Sequence, residues 1–281
     1  MSRPIDVMHL GRDRVICAYE QDGVIVDPGP STSVETLLEG LGGVEPRALL
    51  LTHIHLDHAG ATGVLCRRFP ELVVYVHERG APHLVDPSKL LKSAARLYGD
   101  EMERLWGEVA PVPEERVRIL SGGESVEGFR VAYTPGHASH HVSYLHEDLG
   151  DAYVGDVAGV RVPPSAFTLP PTPPPDIDLD LWEESLRTLE EWEPESLCLT
   201  HFGRHTDVAG QIGAVREGLR VQAELARDND LDGFVAAMRE RLSEHLDADA
   251  QASFEQAAPP DQLYQGLERY WRKRAEAEAA A

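Results

Sequence analysis

The sequence predicts an α/β chain in two parts: a layered region over residues 1–206 and an all-helical extension over residues 207–281. Up to about residue 206, short apolar runs alternate with turn residues and amphipathic stretches, the rhythm of strands joined by hairpins and crossover helices. Beyond it, apolar residues recur only at helical spacing. Composition agrees with a globular chain: 281 residues, 42% apolar and 26% charged, with 24 Gly and 20 Pro, exclude collagen-like, coiled-coil and wholly disordered architectures. At this length folding buries roughly three quarters of the unfolded surface, so a large core is available.

The elements follow in order. Arg14 to Glu20 and Val24 to Asp27 flank Gln21-Asp22-Gly23, and Asp-Gly between two β-branched runs reads as a hairpin. Pro28-Gly29-Pro30 ends it, and Ser31 or Ser33 can cap a helix with Val34, Leu37, Leu38 and Leu41 on one face. Ala48 to Thr52 reads as a buried strand, Gly60 to Phe69 as a helix and Leu72 to Val76 as a strand. Residues 81–115 interrupt the rhythm. Pro87 followed by Leu90, Leu91, Ala94, Leu97 and Tyr98, then Met102, Leu105 and Trp106, predicts two short inserted helices.

Strands resume at Val117 to Leu120, Phe129 to Thr134, Val142 to Leu145 and Ala152 to Val154. Pro163-Pro164 and Pro170-Pro171-Thr172-Pro173-Pro174-Pro175 can be neither helix nor central strand and predict an extended loop. A helix from about Leu181 to Trp192 and a strand from Ser196 to Thr200 complete the layered part. Three helices then fill the extension, Val208 to Ala226, Leu231 to Leu246 and Asp261 to Arg274, and the Ala/Glu tail after Arg274 is expected to fray.

The charge is strongly acidic, with 26 Lys and Arg against 48 Asp and Glu for a net −22. Such a field repels phosphate backbones and anionic headgroups, so neither nucleic acid nor membrane is an expected partner. No run of about 18 apolar residues is present and Met1-Ser2-Arg3-Pro4-Ile5-Asp6 lacks the apolar core of a signal peptide, so a soluble, cytoplasmic protein is expected. Cys17, Cys66 and Cys198 are odd in number and each lies in an apolar run, which predicts buried free thiols.

The chemistry concentrates in Thr52-His53-Ile54-His55-Leu56-Asp57-His58, directly after an apolar strand. Imidazole and carboxylate are ligands that zinc prefers, and three histidines in one loop are poorly accommodated without charge or metal. Three further candidates each follow an apolar strand: His137, Asp156 and His201. Side chains at the ends of neighbouring strands can meet on one edge of a layered fold, so these four stations suggest one shared metal centre.

The chain resembles the metallo-β-lactamase fold superfamily, in its glyoxalase-II and lactonase-like branch. The landmarks run in family order from about residue 5 to residue 206: Asp27-Pro28-Gly29, the His-x-His-x-Asp-His loop, Thr134-Pro135-Gly136-His137, Gly155-Asp156 and Thr200-His201. The resemblance implies a four-layer αββα sandwich of two mixed sheets, with the helical extension outside it. It also implies that His53, His55 and His137 hold one divalent ion, that Asp57, His58 and His201 hold a second, and that Asp156 bridges them. Zinc is the expected metal, with iron or manganese as substitutes. Two such ions would bring a bridging water's pKa toward neutrality, and the hydroxide would attack a carbonyl or phosphoryl centre. Asp57 is the catalytic candidate, placed to orient that nucleophile and pass its proton on.

Around the ligands, His141 is a candidate for a supporting hydrogen bond or for packing, and Asp27 for supporting the ligands or capping its turn. Asp156 stands where true zinc β-lactamases commonly carry Cys or Ser, which disfavours antibiotic hydrolysis. The expected activity is therefore hydrolysis of a small thioester, ester or lactone, with a phosphodiesterase or a mononuclear iron sulfur dioxygenase as alternatives. The proline loop, with Arg161 and Phe167, is expected to overhang the site and help select substrate, or else to be a stiff connector. In the last helix, Tyr264, Arg269, Tyr270, Arg272, Lys273 and Arg274 could reach substrate, while Leu263, Leu267, Tyr270 and Trp271 could pack on the domain or on a second copy of the chain in a homodimer.

Overall fold

The computed structural model describes residues 3–280; Met1 and Ser2, read above as part of a non-leader N-terminus, and Ala281, the end of the tail, lie outside them. One sheet contains β1 (Arg3–Asp6), β2 (Cys17–Gln21), β3 (Val24–Val26), β4 (Ala48–Leu50), β5 (Val73–His77) and β6 (Val117–Leu120) in that spatial order. The other contains β7 (Ser125–Val126), β8 (Phe129–Tyr133), β9 (Val142–His146), β10 (Asp151–Gly155), β11 (Ser196–Leu199) and β12 (Gly203–His205), likewise side by side in sequence order. Both are mixed: β1, β2 and β3 pair antiparallel and β3 to β6 parallel, while in the second sheet only β10 and β11 run parallel.

Strand alternation assigns each residue to a layer. Tyr19, Val24, Val26 and Leu50 point between the sheets, where they meet Phe129, Tyr144, Tyr153 and Cys198. Their neighbours Ala18, Ile25, Leu49 and Leu51 point outward and are covered by Leu37 and Leu41 of α1 (Val34–Leu41) and Leu65 of α3 (Thr62–Arg68). On the far side Ala152, Val154, Leu197 and Leu199 are covered by Trp182, Leu186 and Leu189 of α7 (Leu179–Glu191). The same cluster continues into Ile212 and Val215 of α8 (Val208–Asp228), Phe234 of α9 (Leu231–His245), Phe254 of α10 (Ala248–Ala257) and Leu267 of α11 (Pro260–Ala280). The result is the αββα sandwich, with its C-terminal helices bound into the outer core.

Several local expectations stand. Asp22 and Gly23 both take left-handed φ values, 50° and 80°, and close the β2–β3 hairpin as its two turn residues. All three cysteines are free and buried, and burial pushes the Cys17 thiol up to about 12. Among the described residues no helix is long and apolar enough to cross a membrane.

Others are corrected. The inserted region holds three helices rather than two, α4 (Ala81–Val85), α5 (Ser88–Tyr98) and α6 (Met102–Trp106), because Pro82 sits in the first turn of α4, where its missing N–H costs nothing. A further short helix, α2 (Leu56–Ala59), carries Asp57 and His58. β1, β7, β12 and α10 went unread: β7 has two residues and β12 three, too short for periodicity to register, and Pro4 in β1 argues against a strand except at an edge, where β1 lies. The expected fraying after Arg274 is not seen, since α11 continues to Ala280.

Candidate metal centre

The fold delivers the seven sequence-selected residues to one edge of the sandwich. His53 and His55 lie in the loop leaving β4, and Asp57 and His58 on α2 directly after it. His137, Asp156 and His201 leave β8, β10 and β11 of the other sheet. Two groups form, His53, His55, His137 and Asp156 in one and Asp57, His58 and His201 in the other, each with candidate ligand atoms within 4.8 Å of one another. The Asp156 carboxylate faces both: Oδ2 is 3.2 Å from His137 Nε2, and Oδ1 is 3.2 Å from His58 Nε2 and 3.5 Å from His201 Nε2. Gly155 makes this approach possible, since a Cβ there would lie 2.6 Å from both Thr52 Oγ1 and His141 Nε2.

Hydrogen bonds on the outer side of four imidazoles decide what their inner nitrogens carry. His58 Nδ1 donates to Asp27 Oδ2 at 2.8 Å, His137 Nδ1 to the Pro171 carbonyl at 2.9 Å and His201 Nδ1 to the Val15 carbonyl at 2.6 Å. Thr52 Oγ1 donates to Asp27 Oδ2 and so accepts from His53 Nδ1 at 3.1 Å. Each of the four Nε2 atoms thereby faces inward and offers a lone pair whenever its imidazole is neutral. Asp27 is the hub: with φ 48° it turns its carboxylate inward to accept from Thr52 N, Thr52 Oγ1, His58 Nδ1 and Thr200 Oγ1. It supports ligands rather than capping its own turn.

The donor set fits divalent cations. Nε2 of His53 and of His137 lie 2.9 and 3.0 Å from His55 Nδ1. A proton on that Nδ1 could serve one of the two lone pairs, whereas a cation serves all three nitrogens. In the second group, His58 Nε2, His201 Nε2 and Asp156 Oδ1 are buried without a hydrogen-bond partner. Orphaned inward atoms of this kind cost free energy unless an ion satisfies them.

Electrostatics separate the groups. Burial, reinforced by His58 and His55, holds His53 well below its usual range, and burial with His137 brings His55 down to about 4. For His58 burial acts in the same direction, but the Asp156, Asp57 and Asp27 carboxylates outweigh it and raise the pKa well above 6.5; His201 is raised likewise by Asp156 and Asp57. Burial would raise Asp57 and Asp156, yet the surrounding imidazoles hold both carboxyls low. Without metal the second group thus holds protons that a cation would displace.

The remaining candidates divide. His141 is buried beside the centre, its Nδ1 2.9 Å from Thr134 Oγ1 and its ring 5.2 Å from that of His53. The 171–175 half of the proline loop lines the cavity over the centre, but Arg161 and Phe167 do not: Arg161 bonds Gln211, and Phe167 packs on His245 and Phe254. In α11, Arg269 faces the cavity; Tyr270 is buried in the outer core, and Tyr264 packs against Phe234. Sequence reading missed His140, which lines the cavity and stacks 6.0 Å from His53, and Tyr98, whose hydroxyl donates to Gln262 at 3.4 Å. Adjacency to His141 was the one available signal for His140.

Comparison with known proteins agrees. The model of the Metallo-beta-lactamase superfamily matches residues 15–201. The Metallo-beta-lactamase fold-containing protein ST1585 of Sulfurisphaera tokodaii is 30% identical over 209 residues, 71% of this chain and 76% of its own. Its crystal structure superposes with a TM-score of 0.68 over 95% of this chain and 97% of that one, at 23% identity. TTHA1623, solved in a di-iron-bound form, is 28% identical with a TM-score of 0.54, covering 71% of this chain and 91% of its own. The hydroxyacylglutathione hydrolase of Hamiltonella defensa is 34% identical over 124 residues, 44% of this chain but only 39% of that one. The chain belongs to the metallo-β-lactamase superfamily, as a metal-dependent hydrolase of that fold.

Proposed function

We propose that the chain hydrolyses a small thioester, ester or lactone with two divalent ions, zinc foremost, held by His53, His55, His137, Asp57, His58 and His201, with Asp156 shared between them. The observation that carries this reading is the Asp156 carboxylate, whose two oxygens face the two imidazole groups separately. When bound, such ions supply a Lewis acid and a water acidic enough to serve as nucleophile near neutral pH. Asp57, half-buried and facing the cavity, orients that water and accepts its proton. Asp27 keeps His58 in the tautomer that presents Nε2. In the net reaction the oxygen of water bonds the acyl carbon, the C–S or C–O bond breaks, and the departing thiol or alcohol takes a proton. Similarity to hydroxyacylglutathione hydrolases supports a carbonyl substrate, and the di-iron form of TTHA1623 makes iron the second metal to test.

The test compares zinc-loaded and iron-loaded protein with Asp57→Asn on a glutathione thioester, an acyl lactone and an activated phosphodiester. Preferred turnover of a carbonyl substrate, reduced about 10²- to 10⁴-fold in the variant, is the expected result. Preferred turnover of the phosphodiester, or carbonyl turnover indifferent to Asp57, overturns the reading.

A further inference from the structure

The cavity over the metal centre has a volume of about 810 Å³ and opens on His55, Asp57, Asp156 and His201. Its roof is α5, a helix of 11 residues of which none is buried. Leu90, Ala94, Leu97 and Tyr98 recur at helical spacing along α5, and all four line the hollow. An amphipathic helix ordinarily turns such a stripe onto a core; here those contacts are partial, Leu90 against the outer core of the first sheet and Tyr98 edge-on to Trp106 of α6 at 5.1 Å, and the stripe otherwise lines the cavity opposite Leu263 of α11. A cavity of this size suits a drug-sized molecule whose apolar part supplies the missing contact.

Charge adds a second requirement. In a chain of net charge −22, α5 carries Lys89, Lys92 and Arg96 and no acid. Lys89, Arg96 and Arg79 line the cavity and have no ion pair among the described residues. The other cavity cations are engaged, Arg104 with Glu101 and Arg269 with the Pro175 carbonyl. Besides the candidate ligands, the acids facing the cavity are Asp176, which accepts from Ser139, and Glu255, which pairs with Arg239. Unpaired cations beside an apolar roof point to an amphiphilic anion.

We infer that this cavity takes an acyl compound with an apolar chain and an anionic group, the chain against Leu90, Leu97 and Tyr98 of α5 and the anion at Arg79, Lys89 and Arg96. The inference rests on the hydrolase reading and specifies its substrate class. Anion binding there is local, against the overall negative field, so it weakens with salt.

Calorimetric titration of the zinc-loaded protein with octyl sulfate, ethyl sulfate and octyl glucoside, below micelle formation, tests it, since a sulfate ester is a weak ligand for zinc. Octyl sulfate is expected to bind more than about tenfold tighter than either comparator, the chain and the anion each contributing. Lys89→Ala with Arg96→Ala is expected to weaken octyl sulfate about three- to tenfold and leave octyl glucoside unchanged, while Leu97→Gln weakens both octyl ligands. None of these positions is fully buried, so the variants are expected to fold. Equal binding of the three probes, or octyl sulfate binding indifferent to both variants, overturns the inference while leaving hydrolysis standing. Absence of carbonyl turnover in the wild type, with the binding pattern intact, would instead remove the hydrolase reading.

Discussion

The metal edge and the helical roof are built on opposite terms. At the edge, His53, His58, His137, Asp156 and His201 are buried, and each imidazole among them is held from behind by a hydroxyl, carbonyl or carboxylate. On the roof, no residue of α5 is fully buried, its apolar stripe is half-buried and its cations are exposed. Candidate ligands that need fixed positions sit on strand ends and loops braced by Asp27, whereas the cavity above them is walled in part by an insertion with no fully buried residue on α5. Stability and metal affinity should therefore reside in the first region and selectivity in the second.

The largest break in that contrast is expected from core substitution. Leu37→Ala, at a fully buried position of α1 beneath the first sheet, should cost about 2–5 kcal/mol in chemical denaturation, whereas Leu97→Ala on α5 should stay below about 1 kcal/mol. Comparable costs at the two positions would mean that the roof is part of the cooperative core.

Next comes the brace. Asp27→Asn keeps the size of the side chain but weakens the acceptor shared by Thr52, His58 and Thr200. Metal affinity, measured by competition with a chromophoric chelator, should fall about 10- to 100-fold. An unchanged affinity would reduce Asp27 to a turn residue.

The smallest effect is graded with pH. His58 and His201 have raised pKa values in the metal-free fold because, against the opposing effect of burial, Asp156 and Asp57 lie beside both and Asp27 beside His58. Their contribution to metal-free stability is fully present below the unfolded value of about 6.5 and is lost as pH rises through the raised folded values. Metal must displace those protons, so its affinity rises over the same range. The gap in Tm between metal-loaded and metal-stripped protein should widen from acid to alkaline pH; a gap that narrows would contradict the assigned protonation.

Much of the metal edge was legible because its signals are local. Three histidines and an aspartate fall within six residues after an apolar strand, and His137, Asp156 and His201 each follow another such run. Asp27 was nameable with two tasks, supporting the ligands or capping its turn, and only the structure chooses between them, since its acceptor role joins residues as far apart as Thr52 and Thr200. The roof was least legible: α5 was expected, but nothing in its 3.6-residue period says whether the apolar stripe meets a core or a cavity. Arg161 and Phe167 illustrate the same limit, because both lie in the loop expected over the site, yet tertiary contacts with Gln211 and Phe254 turn them away.

The central claim is the paired metal centre, and the most direct measurement is the metal content of the purified protein at equilibrium with buffered zinc, alongside Asp156→Ala. Two ions per chain in the wild type, with cooperative loss of both in the variant, is the result expected if one carboxylate faces both imidazole groups. A single ion in the wild type, or two ions unaffected by Asp156→Ala, would contradict it.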